Sequence, residues 1–386
     1  MSADEAKYKK TGMNIRTGGL EASASEEKKP SSEGGGVASE AQRSDAPLFR
    51  PSTTPLESPA SYFRILRNPK PPANMESLLL EPFCYIADVP GKGVRSMLIK
   101  AFNHWLEVPD EQVRKISEVV EMLHNASLLI DDVQDGSELR RGVPCAHKVY
   151  GVAQVINSAN YVYMLAMEKV AALGHPDALS VCLEEMLQLH RGQGLELVWR
   201  DNVECPTEEE YQRAVLDKTG GLTRLSSKLL TLFAQKDEVV DLVPLANLIA
   251  LHYQIRDDVL NLTDKRMQGL KGFCDDLTEG KFSFPVIHAI RARPNDSRLI
   301  NIIRQRTTDP EVKRYAVRYM HSVGSFVYAE KVLNKIRDSI LDTIAEYGGN
   351  ELLTTIVVDH LCKPLDLSVD DDSTHDAHAS SAPSML

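Results

Sequence analysis

The chain has 386 residues, 42% of them hydrophobic, which is enough to build a sizeable core. Its formal net charge of -11 argues against a general binder of nucleic acid or anionic membrane, yet leaves room for local basic clusters that grip an anionic ligand. The six cysteines contain no CxxC pair, which argues against a structural zinc site or a disulfide framework, and no apolar run approaches the roughly 18 residues of a membrane-spanning helix.

Residues 1–58 read as a disordered extension. They pass through Glu26-Glu27-Lys28-Lys29-Pro30 and Gly34-Gly35-Gly36 to prolines at 47, 51 and 55. Such a stretch cannot bury enough apolar area to offset its ordering entropy. One folded domain is expected over residues 59–363, followed by a disordered acidic tail, 364–386, containing Asp370-Asp371-Asp372. The polar N-terminus does not read as a secretory signal, and a cytoplasmic location is expected. Ser384-Met385-Leu386 is a distant relative of the peroxisomal address, the alternative location.

The domain reads as all-α. Gly91-Lys92-Gly93-Val94-Arg95 sets two cations three residues apart without the spacing of a P-loop. Asp110 is expected to cap a helix carrying Val113, Ile116, Val119, Val120 and Leu123 at helical spacing. This apolar stretch ends in Asp131-Asp132-Val133-Gln134-Asp135. Asp131 and Asp135 fall one turn apart on one face. Two carboxylates so close repel each other unless a cation lies between them. Hard oxygen donors with no His or Cys alongside favour Mg²⁺. Taken alone, the motif reads equally well as a solvated acidic helix end. Arg140 and Arg141 follow, and their planar forks suit phosphate oxygens.

Further along, Thr207 and Glu210 have the spacing of a capping box. Lys218-Thr219-Gly220-Gly221 adds another cation. A second apolar helix then ends in Gln254-Ile255-Arg256-Asp257-Asp258-Val259-Leu260-Asn261, with Gln254, Asp257, Asp258 and Asn261 expected on one face. Lys271 and Lys281 come next. Asp309-Pro310 opens a helix expected to reach about Tyr347, where Gly348-Gly349 stops it. Any one of these cations commonly sits on a solvated face. Two Asp motifs on helices of one bundle suggest facing carboxylates around Mg²⁺, whose shell a diphosphate would complete.

The ordered segments PGKGVRS, LLIDDVQD, SELRRGVPCAHKVYG, LHRGQGLELVWRD, DKTGG, YQIRDDVLNL and KGFCDDLTEGKFSFPVIHAI resemble the trans-isoprenyl diphosphate synthase family, in particular its geranylgeranyl-type members. The likeness runs from Leu80 to Lys281 and more weakly to Leu361. It implies a single-domain helical bundle with a central cavity. It also implies head-to-tail condensation of isopentenyl diphosphate with dimethylallyl, geranyl or farnesyl diphosphate, mainly to geranylgeranyl diphosphate. By the same resemblance, Lys92, Arg95, His124 and Arg141 would hold isopentenyl diphosphate. Asp131 and Asp135, supported by Asp132, and Asp257, helped by Asp258, would hold about three Mg²⁺ ions. Arg140, Lys218, Thr219, Gln254, Asn261, Lys271 and Lys281 would surround the allylic diphosphate, and a homodimer or higher assembly is implied.

Two positions depart from the wider family. Asn261 stands where a third aspartate is common, and Val259 where geranylgeranyl-type members usually carry an aromatic residue. Ala126 and Ser127, just before Asp131, are small where fifteen-carbon members often have aromatics, so a deeper pocket is expected. Tyr163, Met164 and His190 are candidates for its floor, with plain core packing the alternative. Two other readings stay open. A class I terpene cyclase would not need Lys92, Arg95, His124 and Arg141, and a non-catalytic partner subunit would be expected to have lost Asp or Lys residues from the motifs.

Overall fold

One helix that the periodicity predicts also carries the first Asp motif. Its apolar residues recur every three or four positions, so one stripe can be buried along its whole length. In the computed structural model, which describes residues 73–89, 91, 93–236, 238–264, 273–365 and 367, it spans Asp110–Asp135 and buries Val113, Ile116, Val119, Val120, Leu123 and Leu129. Lys92, Lys271, the 1–58 extension, nearly all of the 364–386 tail and its terminal tripeptide lie outside the described residues.

In chain order the helices are α1 (Ala73–Ala87), α2 (Val94–Leu106), α3 (Asp110–Asp135), α4 (Ala146–Tyr150), α5 (Val152–Ala171), α6 (Ala178–Asn202), α7 (Glu208–Lys218), α8 (Gly220–Leu232) and α9 (Val243–Thr263). They continue through α10 (Asp275–Glu279), α11 (Phe284–Ala292), α12 (Arg298–Gln305), α13 (Pro310–Ser322), α14 (Ser325–Glu346) and α15 (Glu351–Thr355), then a π-helical turn over Ile356–Leu361. Among the described residues the only strands are a two-residue hairpin, β1 (Leu139–Arg140) and β2 (Val143–Pro144), antiparallel after α3. The all-α expectation holds.

Helix α8 is the hub. It packs against α2, α3, α6, α7 and α9, while α3 leans on α5 and α9 on α14. Leu222, Leu225, Leu229 and Leu230 of α8 are buried, and Phe102, Phe284 and Phe326 are the largest fully buried side chains of the core. With α8 at the centre, the C-terminal ends of α3 and α9 open onto the same space. The six cysteines are free thiols.

Local signals fare unequally. Thr207 and Glu210 form the expected capping box, and Asp309 caps α13 by accepting from the Glu311 amide with Pro310 in the first turn. Asp110, by contrast, is the first residue inside α3, and Pro109 takes the cap position without a side-chain bond. The helix expected from 310 to about 347 is two helices, broken where Gly324 adopts a left-handed φ of 80°. That conformation carries no steric cost in glycine, so the chain can turn there and fold α14 back onto the core.

Candidate active site

Asp131 and Asp135 at the end of α3 and Asp257 on α9 line one cavity of about 660 Å³. Arg95, His124, Arg140, Arg141, Lys218, Thr219, Gln254, Asn261 and Lys281 line it too, so residues scattered over nearly two hundred positions of sequence converge.

At the first motif, Asp132 is buried and turned away from the cavity. The Arg140 guanidinium forks onto it through Nε at 2.7 Å and through Nη2, which also reaches Asp131 Oδ2 at 3.3 Å. Arg140 therefore fixes the carboxylates of the motif as well as facing the cavity. From α6, Gln193 donates to Asp131 Oδ1 at 3.3 Å, and Arg200 Nη1 donates to Asp135 Oδ1 at 2.9 Å. Burial, then the charge of Asp131, pushes the Asp135 carboxyl up to about 7, against the pull of Lys218 and Arg200.

Those mutually repelling carboxylates suit a divalent cation, and their all-oxygen donor set suits Mg²⁺. Among the described residues no three acidic, His or Cys side chains converge as a complete protein cage. Mg²⁺ does not require one, because it keeps waters and substrate oxygens in its shell. Asp131 and Asp135 on one wall and Asp257 on the other could hold it.

Between the walls runs a line of alternating charge. Lys218 Nζ lies 3.5 Å from Asp131 Oδ1 and 2.9 Å from Glu196 Oε2. Lys281 Nζ lies 3.9 Å from Glu196 Oε1 and 3.1 Å from Asp258 Oδ1. Burial opposes the charge on Lys218, but Glu196 and Asp131 win and hold the ammonium above the ordinary lysine range. Lys281 is raised in the same way, by Asp258, Asp276 and Glu196 against burial.

Asp258 corrects one expectation. It is fully buried, and it accepts from the Tyr211 hydroxyl at 2.7 Å, Gln254 Nε2 at 2.9 Å and the Phe284 amide at 2.8 Å, besides Lys281. Adjacent helical residues point about 100° apart, so Asp257 faces the cavity while Asp258 faces the packed interior. Asp258 is therefore an anchor in the packed interior and does not line the cavity. Because Gln254 gives its amide N–H to Asp258, its Oε1 is left to accept from the Thr219 hydroxyl at 2.7 Å. Asn261 also looks partly inward, with Oδ1 accepting from the Asp276 amide at 3.2 Å.

A second cationic pocket lies on the α2 side of the cavity. Arg95 Nη1 donates to His124 Nε2 at 2.9 Å, so that nitrogen carries no proton. Burial, then the charges of Arg95 and Arg141, holds His124 well below the usual histidine range, and the ring is neutral. Arg141 has a φ of 54° and is tethered by the carbonyls of Ile86 and Val89 and by Asn125. A Cβ on Gly91 would come within 3.3 Å of the Arg141 guanidinium, so the glycine leaves that group room.

Tyr163 and His190 also line the cavity, and their rings meet edge to face at 5.9 Å. His190 Nδ1 donates to the Met186 carbonyl at 2.7 Å, which fixes the ring. Ser127 lines the cavity, whereas Ala126 is buried in the core. Met164 corrects a second expectation. It is 63% exposed on the outer side of α5 and does not line the cavity, again because neighbouring helical positions diverge.

The polyprenyl synthetase family model matches residues 76–320. The chain belongs to the polyprenyl synthetase family. Members of this family depend on Mg²⁺ and use isoprenyl diphosphates. The chain is 51% identical over 278 residues to a geranylgeranyl pyrophosphate synthase of Mucor circinelloides f. lusitanicus, covering 72% of this chain and 91% of that protein. It is 48% identical over 279 residues to a geranylgeranyl pyrophosphate synthase of Dictyostelium discoideum, covering 72% and 91%. A protein of Matsumurasca onukii named terpene synthase is 50% identical over 288 residues, covering 75% and 94%.

Sequence reasoning overlooked Gln193, Glu196 and Arg200. All three lie in LHRGQGLELVWRD, and their spacing of three and then four places them on one face of α6. Polar residues at that spacing along an otherwise mixed helix were the available signal. Glu279, 3.6 Å from Arg200 and lining the cavity, was overlooked as well.

The division of labour between the paired aspartates is testable. Asp258→Asn should lower stability by about 2–3 kcal/mol in urea unfolding, since a buried charged hydrogen-bond centre is weakened. It should leave the Mg²⁺ concentration for half-maximal activity within about twofold, whereas Asp257→Asn should raise that concentration about tenfold or more.

Proposed function

We propose that this polyprenyl synthetase condenses isopentenyl diphosphate with allylic diphosphates, farnesyl diphosphate included, and delivers mainly the twenty-carbon geranylgeranyl diphosphate. The observation that carries the reading is the pairing of two anion sites on one cavity: the Asp131–Asp135–Asp257 set with Lys218 and Lys281, and the Arg95–His124–Arg141 set. Two relatives near 50% identity named as geranylgeranyl pyrophosphate synthases support the same product.

Mg²⁺, in about three ions held by Asp131, Asp135 and Asp257, would supply charge stabilisation to the leaving diphosphate. Lys218, Lys281 and Arg140 grip the same diphosphate directly. Arg95 and Arg141, with neutral His124 between them, hold isopentenyl diphosphate so that its double bond faces the allylic carbon. As the allylic C–O bond breaks, the Thr219 hydroxyl and the fixed Gln254 carbonyl oxygen turn the negative ends of their dipoles to the carbocation. The double bond attacks, a C–C bond forms, and the departed diphosphate takes the proton. Apolar residues such as Leu128, Leu189 and Leu222 line the same cavity and exclude water that would quench the cation.

The tail of the growing chain extends toward Tyr163 and His190. A helical turn rises about 5.4 Å, close to one isoprene unit, so the depth of this floor sets the length. The decisive assay supplies Mg²⁺ and labelled isopentenyl diphosphate with each allylic starter and sizes the dephosphorylated alcohols. A twenty-carbon alcohol is expected, and Tyr163→Ala should shift the distribution to longer products. The relative named terpene synthase gives a second reading some weight. A cyclised hydrocarbon formed without consumption of isopentenyl diphosphate would establish that reading and overturn ours.

The proposed assembly is a homodimer, a reading supported by exposed apolar side chains on two neighbouring helices. On α5, Val152, Ile156 and Met164 are exposed at multiples of four residues, and on α6, which packs against α5, Leu179, Leu183 and Leu187 repeat the pattern. A second copy brings identical stripes, and a two-fold pairing buries both at once. Light scattering should give twice the chain mass for the parent and the single-chain mass for Leu183→Glu. A parent of single-chain mass, or a variant that stays paired, would refute this surface.

A further inference from the structure

Arg224 of α8 is 8% exposed and does not line the cavity. Its guanidinium nevertheless ties three other helices to α8. Nε donates to Glu185 of α6 at 2.9 Å, and Nη1 donates to Asn247 of α9 at 3.1 Å and to the Leu216 carbonyl of α7. Glu185 is 2% exposed, and its other oxygen pairs with Lys228 at 2.7 Å. A buried ion pair is a poor source of net stability, because desolvation offsets much of its attraction. What it supplies here is geometry.

The carbonyl that Arg224 takes is informative. In an unbroken helix the Leu216 carbonyl would belong to the amide of Gly220. Here α7 ends at Lys218, α8 begins at Gly220, and Thr219, whose own φ of -78° and ψ of -35° remain helical, is the junction, or corner, between them. Both functional side chains leave from this corner: Lys218 toward Asp131 and Glu196, Thr219 toward Gln254. Glycine at 220 is required by the clamp, since a Cβ there would lie 2.5 Å from Arg224 Nη1. On its other side the corner rests on α6 at Gly192, where a Cβ would lie 2.4 Å from the Lys218 amide nitrogen. The corner is thus gripped from two directions with no slack in either.

We propose that Arg224 is a positioning residue of the reaction: clamped by Glu185 and Asn247, it holds the α7–α8 corner in the geometry where Lys218 and Thr219 both face the allylic diphosphate. This rests on the reading above that Lys218 and Thr219 act on that diphosphate. It makes the pair Arg224–Glu185 a determinant of catalysis that never touches substrate.

The test is the double variant Arg224→Met/Glu185→Leu, which removes both charges together and leaves Lys228 its contact with Glu184 at 3.2 Å. Replacing both members of a buried pair with apolar side chains usually preserves folding. Thermal unfolding checks that, and kcat and KM are then measured separately for farnesyl and isopentenyl diphosphate, beside Lys218→Ala. Small displacements of positioned groups cost about a hundredfold in rate, so kcat should fall by about 30- to 100-fold. The KM for farnesyl diphosphate should rise while that for isopentenyl diphosphate stays within about twofold, because Arg95, His124 and Arg141 lie on α2, on α3 and in the β1–β2 turn. A folded double variant within about threefold of the parent in kcat and farnesyl KM, with Lys218→Ala crippled, overturns the proposal alone. If Lys218→Ala is equally unaffected, the reading of the corner falls and the proposal with it. Should the double variant fail to fold, Arg224→Lys retains a charge against Glu185 but cannot fork to Leu216 and Asn247, and the same readouts decide.

Discussion

The structure depends on a line of alternating charges that crosses the cavity: Asp131, Lys218, Glu196, Lys281 and Asp258. Each neighbouring pair is separated by 2.9 to 3.9 Å. At such separations an effective protein dielectric gives an attraction of about 4 kcal/mol per pair, while desolvating each ion costs several kcal/mol. No pair offsets its own burial with much to spare, so the line holds only as a whole. Its use is that two ammonium groups are kept charged and aimed at the cavity without a ligand. On the proposed function, an arriving diphosphate would find those cations already oriented, with little reorganisation left for the moment when the allylic bond ionises.

The rest of the bundle can be understood as holding that line straight. Helix α8 gives the site its centre, and glycines at 192 and 220 let backbone and guanidinium approach where any side chain would intrude. Tyr211, the Phe284 amide and Gln254 bind both oxygens of Asp258, and Arg140 grips one oxygen of Asp132. In each Asp pair one carboxylate is thereby committed to the interior and its neighbour is presented to the cavity. Helical geometry makes that split unavoidable, since consecutive side chains cannot share a direction.

The same geometry explains what could be read in advance. Asp131 with Asp135 and the capping box at Thr207 were legible because both are local patterns, complete within one helical turn or two. Arg95, His124 and Arg141 were legible only through their order within a family-like set of segments. Glu196 and Arg200 were missed because in sequence their face of α6 shows only its spacing, while the partners that give it meaning, Lys218 and Asp135, come from α7 and α3. Tyr163 and Met164 looked equivalent in sequence, and only the packing of α5 on α3 separates the buried ring from the 63% exposed thioether. The break at Gly324 was underestimated for the reverse reason: one glycine in a long helical pattern is tolerated often enough to be passed over.

The proposed function stands on Asp131 and Asp257 holding one diphosphate between them through Mg²⁺. The most direct measurement is calorimetric binding of an unreactive thio-analogue of farnesyl diphosphate, with Mg²⁺ and with chelator, to the parent, Asp131→Ala and Asp257→Ala. Chelation should weaken binding by about a hundredfold or more in the parent, and each alanine variant should lose most of that Mg²⁺-dependent gain. Binding equally tight in chelator, or a gain that survives in either variant, would contradict it.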